Sequence, residues 1–262
     1  MLKFCSLYSG SSGNSLFVET NNTKILVDCG TSAKKIVTAL DNLGIDITDI
    51  DAILVTHEHS DHIQSLGTIS KKYDIPVFAN FETWNAIPGQ KEKIDNKNIN
   101  IFENNSEFHV GNLQIFPFAT PHDAANPCGF SVVNGHKRLS IATDLGHMEQ
   151  SIFENIKDSS FVLLESNYDP EVLKMSSYPY PLKQRIAGPR GHLSNNEAGQ
   201  TIAALMHKDL KEVMLGHLSK ENNFPELAYQ TVTEELMNNN IDTKEIKISV
   251  ASRSNPSKMI TI

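Results

Sequence analysis

The chain has 262 residues, 39% of them hydrophobic and 21% charged, the profile of a soluble globular protein with room for a substantial core. No apolar run approaches the ~20 residues of a bilayer-spanning helix, and three scattered cysteines exclude a disulfide scaffold. A formal net charge of −8 argues against a polycationic nucleic-acid coat, although bound divalent cations could still make one site locally positive.

The first residues, Met1 to Cys5, show no secretory h-region, and Cys5, Cys29 and Cys128 suit a reducing cytoplasm. Leu2–Tyr8, Leu16–Thr20 and Ile25–Asp28 read as three successive strands. Ser32–Leu43 has helical spacing, with Ile36, Leu40 and Leu43 on one face. Ile53–Val55 is a short buried strand running into Thr56-His57. Gln64–Tyr73 reads as a helix and Pro76–Phe78 as a strand, with Phe81 and Trp84 expected in a helix core. The middle of the chain is richer in strand: Leu113–Ala119, Gly129–Val133, Leu139–Thr143 and Phe161–Glu165. Ser194 with Glu197 forms a capping-box signature that opens a helix over Asn195–His207. Val213–Leu215, Pro225–Met237 and Ile246–Ala251 complete the chain as strand, helix and strand. No repeat or linker interrupts it. One block of strands and helices is followed by a second, which suits two sheets packed face to face with helices outside, an α/β protein of αββα layering in one domain over residues 1–262.

The strongest chemical signal is Thr56-His57-Glu58-His59-Ser60-Asp61-His62, directly after a buried strand. One such loop can supply two ligands to each of two ions: His57 and His59 to one, Asp61 and His62 to the other. Imidazole and carboxylate suit Zn or Mn, with Fe as a third candidate, and the absence of Cys speaks against a structural zinc site.

The pattern His57-x-His59-x-Asp61-His62 resembles the signature of the metallo-β-lactamase superfamily, whose four-layer αββα fold it therefore implies. The remaining positions of that family are found in order. Asp28, in Leu26-Val27-Asp28-Cys29-Gly30, is similar to the residue that supports the metal loop by hydrogen bonds. His122 looks like the third ligand of the first metal, Asp144 like the carboxylate shared by both, and His217 like the last ligand of the second. His59 is intact, unlike the Glu of flavo-diiron oxidases, and Asp144 stands where antibiotic-hydrolysing enzymes commonly have Cys. The stretch from Asp144 to His192 is too short for the large cap domain of the RNA-processing branch.

Gly191-His192-Leu193-Ser194 resembles the Gly-His-Ser-Thr element of transfer-RNA 3′-processing nucleases, where the His contacts the scissile phosphate. That resemblance makes His192 a catalytic candidate at an anion-favouring helix N-terminus, against the alternative of a capping His. Glu165 either orients His192 or is an ordinary strand-end carboxylate. The Ser9–Ser15 run is either a phosphate-touching loop or a plain hairpin connection. Together with Glu165–Asn167, the Lys183/Arg185/Arg190 stretch and His217–Asn223, it resembles the YycJ/WalJ (VicX) subfamily. What this implies is a bacterial cytoplasmic 5′→3′ exonuclease on double-stranded DNA, with DNA favoured over RNA as partner and no membrane association. Substrate contacts are then expected from Ser11, Ser12, Asn14, Arg190, Ser194, Lys220 and Asn222, and catalytic roles from Asp61 and His192 in metal-assisted phosphodiester hydrolysis. His109, His136 and His207 are expected to be surface residues, and His147 is left open. The competing readings are a small-molecule hydrolase of a thioester, lactone or cyclic phosphodiester, a non-catalytic adaptor, and a redox diiron protein.

Overall fold

The computed structural model describes residues 1–262 as two seven-stranded sheets. The first is built from β1 (Lys3–Tyr8), β2 (Ser15–Glu19), β3 (Lys24–Val27), β4 (Ala52–Leu54), β5 (Val77–Asn80) and β6 (Ile99–Phe102), in that spatial order. The second runs in order from β7 (Phe108–Val110) through β8 (Leu113–Ala119), β9 (Cys128–Asn134), β10 (Lys137–Ala142), β11 (Phe161–Glu165) and β12 (Glu212–Gly216) to β13 (Lys247–Val250). The last strand, β14 (Ile260–Thr261), returns to pair antiparallel with β1.

Each sheet has the same grammar. β1–β2–β3 is an antiparallel meander, and β3–β4–β5–β6 is parallel. Likewise β7–β8–β9–β10 is antiparallel, and β10–β11–β12–β13 is parallel. Parallel strands need crossovers, and helices supply them. In the first half these are α1 (Ala33–Asn42), α2 (Ser60–Ile63), α3 (Leu66–Tyr73), α4 (Phe81–Ala86) and α5 (Pro88–Lys91). In the second they are α6 (Gln150–Ile156), α7 (Pro170–Met175), α8 (Tyr180–Ile186), α9 (Asn195–Leu205) and α10 (Pro225–Asn238).

Three apolar clusters define the layers. Ile36, Ala39 and Leu40 of α1 pack with Leu7, Phe17 and Leu26 on the outer face of the first sheet. Phe4, Leu16, Val18, Phe130, Ile141 and Phe161 fill the space between the sheets. Ala198 and Ile202 of α9 and Val232 of α10 cover the far face of the second. Strands buried on both faces read as continuous apolar runs, as in Phe161-Val162-Leu163-Leu164. The rings of Phe4 and Phe161, one from each sheet, lie 4.8 Å apart across the seam.

The αββα layering expected from the sequence is present, and every expected strand and long helix is found within a few residues. β6, β7, β14 and helices α5 to α8 were not anticipated. They are short, and Ile99–Phe102 and Phe108–Val110 are edge strands with exposed positions that blur the period-2 signal. Phe81 departs from its expected core position: it starts α4 at 59% exposure, while Trp84 is buried and donates its indole N–H to the Asn100 carbonyl.

Candidate metal centre

The parallel strands end on one edge, where open α/β sheets place their ligands. Asp28 follows β3, the His57–His62 loop follows β4, Asp144 follows β10, Glu165 closes β11 and His217 follows β12. Asp28, Asp144 and His217 hold left-handed backbone, with φ of 63°, 56° and 54°. For residues with a Cβ this conformation is uncommon, and it clusters where function needs a fixed side-chain direction.

His57, His59 and His122 present ligand atoms within 4.8 Å of one another, as do Asp61, His62 and His217. Asp144 stands between the two groups: Oδ2 is 3.3 Å from His62 Nε2, and Oδ1 is 3.7 Å from His122 Nε2 and 3.4 Å from His217 Nδ1. All seven ligands expected from the sequence are thus gathered in one place. His57 Nε2, His217 Nε2 and Asp144 Oδ2 are buried without any hydrogen-bond partner. Orphaned buried donors and acceptors are costly, and each of these three belongs to a group of His and carboxylate atoms close enough to hold a divalent cation. The mix of imidazole and carboxylate suits that class of ion.

The imidazoles are set by their outer nitrogens. His62 Nδ1 donates to Asp28 Oδ2 at 2.8 Å. Asp28 also accepts from the Thr56 amide (2.9 Å) and hydroxyl (2.8 Å), and that hydroxyl lies 3.0 Å from His57 Nδ1. One carboxylate therefore orients His62 directly and His57 through Thr56. His122 Nδ1 donates to the Gly191 carbonyl at 3.0 Å. These bonds leave each Nε2 pointing inward, the tautomer a metal requires.

Glu165 is the second hub, and it is fully buried. It accepts from His192 Nδ1 and His217 Nδ1, each at 2.8 Å, and from the amides of Leu145 (2.9 Å) and Leu193 (3.2 Å). Burial pushes its pKa up, but His192 and His217 outweigh that and hold it well below the usual carboxylate range. The open question of whether Glu165 meets His192 is answered by that contact. Burial also pushes up the carboxyl of Asp61, yet the nearby imidazoles of His217 and His62 bring it below its ordinary value. Burial pushes His62 down, but Asp144 and Asp28 raise it to about 9. Burial, then the neighbouring His62 and His122, lower His57.

Close packing fixes the loop. A Cβ on Gly30 would lie 1.6 Å from the Asp61 carbonyl oxygen, so only Gly lets the β3 end approach the metal loop. Across that contact Asn14 N donates to Asp61 O and Cys29 N to His62 O, both at 2.8 Å.

The expected substrate contacts divide. Ser11, Ser12, Arg190 and Lys220 are exposed. Arg190 already donates to the His122 carbonyl at 2.8 Å, and Arg185 pairs with Asp123. Three others are engaged in structure instead. Asn14 is buried with its amide nitrogen 3.1 Å from His62 Nε2. Ser194 caps α9 in a reciprocal box with Glu197. Asn222 is fully buried against Ser219. His109 and His136 are exposed as expected, His207 is half-buried on the Ser159 carbonyl, and His147 bonds the Pro189 carbonyl. Sequence reasoning missed Thr56, Asn167, which donates to the His217 carbonyl at 2.7 Å, and Ser9, whose hydroxyl accepts the His217 amide at 2.9 Å. It also passed over Asp123, whose Oδ1 is 3.4 Å from His122 Nε2; adjacency to His122 was the available signal.

A family model described as a β-lactamase superfamily domain matches residues 23–218. The chain is 39% identical over 236 residues to a protein named exodeoxyribonuclease WalJ of Streptococcus pneumoniae, covering 89% of this chain and 88% of the relative. It is 38% identical over 235 residues to one named exodeoxyribonuclease YycJ of Bacillus anthracis, covering 90% and 89%. Among solved structures, the metallo-β-lactamase fold protein YhfI of Bacillus subtilis superposes with a TM-score of 0.70 at 16% identity, over 98% of this chain and 100% of that one. With fold, ligand order and full-length likeness in agreement, the chain belongs to the β-lactamase superfamily, in the group of the WalJ and YycJ proteins.

Proposed function

We propose that this chain is a metal-dependent phosphodiester hydrolase that acts as a 5′→3′ exonuclease on double-stranded DNA. His57, His59 and His122 would hold one divalent ion and Asp61, His62 and His217 a second, with Asp144 common to both; Zn and Mn are the leading candidates and Fe the third. When bound, such ions supply Lewis acidity at phosphoryl oxygens and acidify water. The observation that carries the reading is the His192–Glu165 pair set against the complete ligand cluster. A purely structural metal site has no use for a half-buried imidazole held by one nitrogen.

The chain's own groups then divide the work. Water adds its oxygen to phosphorus, the bond from phosphorus to the 3′ oxygen breaks, and the departing oxygen takes a proton. Because Nδ1 of His192 is committed to Glu165, the proton given is the one on Nε2. Glu165 holds that ring in place through Nδ1. Asp61, partly exposed, orients the attacking water, whose proton passes to solvent. Ser11, Ser12, Arg190 and Lys220 are the exposed groups available to the DNA backbone. The protein names of the two relatives, each matched over most of its length, support this substrate. The core cluster that draws on both sheets supports reading residues 1–262 as one domain. Three buried free thiols suit the cytoplasm.

The test is release of mononucleotides from end-labelled duplex DNA, single-stranded DNA and RNA, with chelator and with Zn or Mn restored. We expect duplex DNA to be degraded from its 5′ end, with turnover abolished by chelation and by Asp144→Ala at unchanged fold. Full activity in Asp144→Ala, or hydrolysis confined to small esters, would refute the reading.

A further inference from the structure

A cavity of about 450 Å³ opens between α7 and α8. Tyr168, Leu173, Tyr178, Tyr180, Lys183 and Gln184 form most of its wall. Its frame is continuous with the metal centre. Tyr168 stands three residues beyond Glu165, and its carbonyl accepts the Asn195 amide at 2.9 Å. α8 leads directly into the Gly188–Gly191 turn, and the His192 amide donates to the Ile186 carbonyl at 2.9 Å. The wall of the cavity and the placement of His192 are therefore set by the same backbone.

The chemistry of the wall is specific. Tyr180 is 70% exposed at the rim and Tyr178 half-buried, so aromatic faces are free to stack. Leu173 gives an apolar floor. Lys183 is held in place by the carbonyls of Lys174 (2.6 Å) and Ser176 (2.7 Å), with no carboxylate to neutralise it. Tyr168 is 6% exposed, and no hydrogen bond engages its hydroxyl. Burial raises its pKa to about 12, so it remains a proton donor. Its hydroxyl makes no hydrogen bond within the chain yet is not shut off from solvent, so it is free to donate to a ligand in the cavity. Stacking faces, one fixed cation and one directed donor together match a nucleotide rather than a simple anion or an apolar side chain.

We infer that this cavity is a nucleobase subsite, holding the base of the nucleotide on the His192 side of the scissile phosphate. Its place in the reaction rests on the phosphodiesterase reading above. Since the 3′ oxygen departs toward His192, the base held here belongs to the nucleotide that is released.

The test is calorimetric titration of the metal-loaded chain with thymidine 5′-monophosphate and, separately, with its closed-ring abasic analogue 1,2-dideoxyribose 5-phosphate. Both carry the phosphate, so their difference reports the base alone. We expect the nucleotide to bind on the order of tenfold more tightly, the size of one stacking contact. Tyr180→Ala should erase most of that difference. Ala187→Trp, which plugs the cavity from an exposed position on its wall, should erase it as well, with melting temperature and metal content as checks on folding. Base-dependent binding that disappears in both variants supports the subsite whether or not the chain degrades DNA. Equal binding of the two ligands, or a base preference that survives the plug, overturns it even if exonuclease activity is found.

Discussion

Two buried carboxylates, Asp28 and Glu165, govern the imidazoles of the candidate metal centre. Asp28 gathers the Thr56 amide, the Thr56 hydroxyl and His62 Nδ1, and Glu165 gathers two imidazoles and two amides. A buried carboxylate with that many donors is rigid, and it fixes the tautomer of each ring it meets. Asp28→Asn keeps the shape but removes the charge that His62 donates to. It should weaken metal binding by roughly 10- to 100-fold, measured by competition with a chromophoric chelator. Unchanged affinity would mean that His62 does not depend on Asp28. Among single residues, the candidate ligands were legible because His57–His62 is dense and adjacent in sequence. Thr56, Ser9 and Asn167 were not, because a hydroxyl or amide acquires its role only from the neighbour the fold brings to it.

Elements carry the site through their ends. Strands β3, β10 and β12 each deliver a functional residue within two residues of the strand end, in left-handed backbone. No periodicity marks such a position, so sequence could place Asp28, Asp144 and His217 but not their direction. α9 was legible in full at its start, because a capping box is local chemistry. Its end fell two residues short of the expectation, at Leu205 rather than His207. That box bears on a substrate assignment. If Ser194 serves as a cap, Ser194→Ala should cost about 1 kcal/mol of stability, read by urea denaturation, and leave the KM for DNA unchanged. A raised KM at unchanged stability would assign the hydroxyl to the substrate instead.

At the scale of the whole molecule, one shared core holds the halves together. Phe130 of β9 meets Phe102 of β6 edge to face at 5.7 Å, a contact between sheets like that of Phe4 with Phe161. Phe130→Ala should destabilise the chain by about 3–5 kcal/mol in equilibrium unfolding. A loss below 1 kcal/mol would show that the seam repacks without it. The layering was readable from two successive blocks of strands and helices. The matching strand order of the two sheets was not, since the halves repeat a topology without repeating a sequence.

That matching order has a consequence for how the protein is assembled. His57, His59, Asp61 and His62 come from the first half, whereas His122, Asp144 and His217 come from the second. Neither half owns a full coordination shell, so any cation bound here rivets the two together. Loss of the ion would loosen a joint rather than empty a socket, and a severed N-terminal half would compete poorly for the same ion.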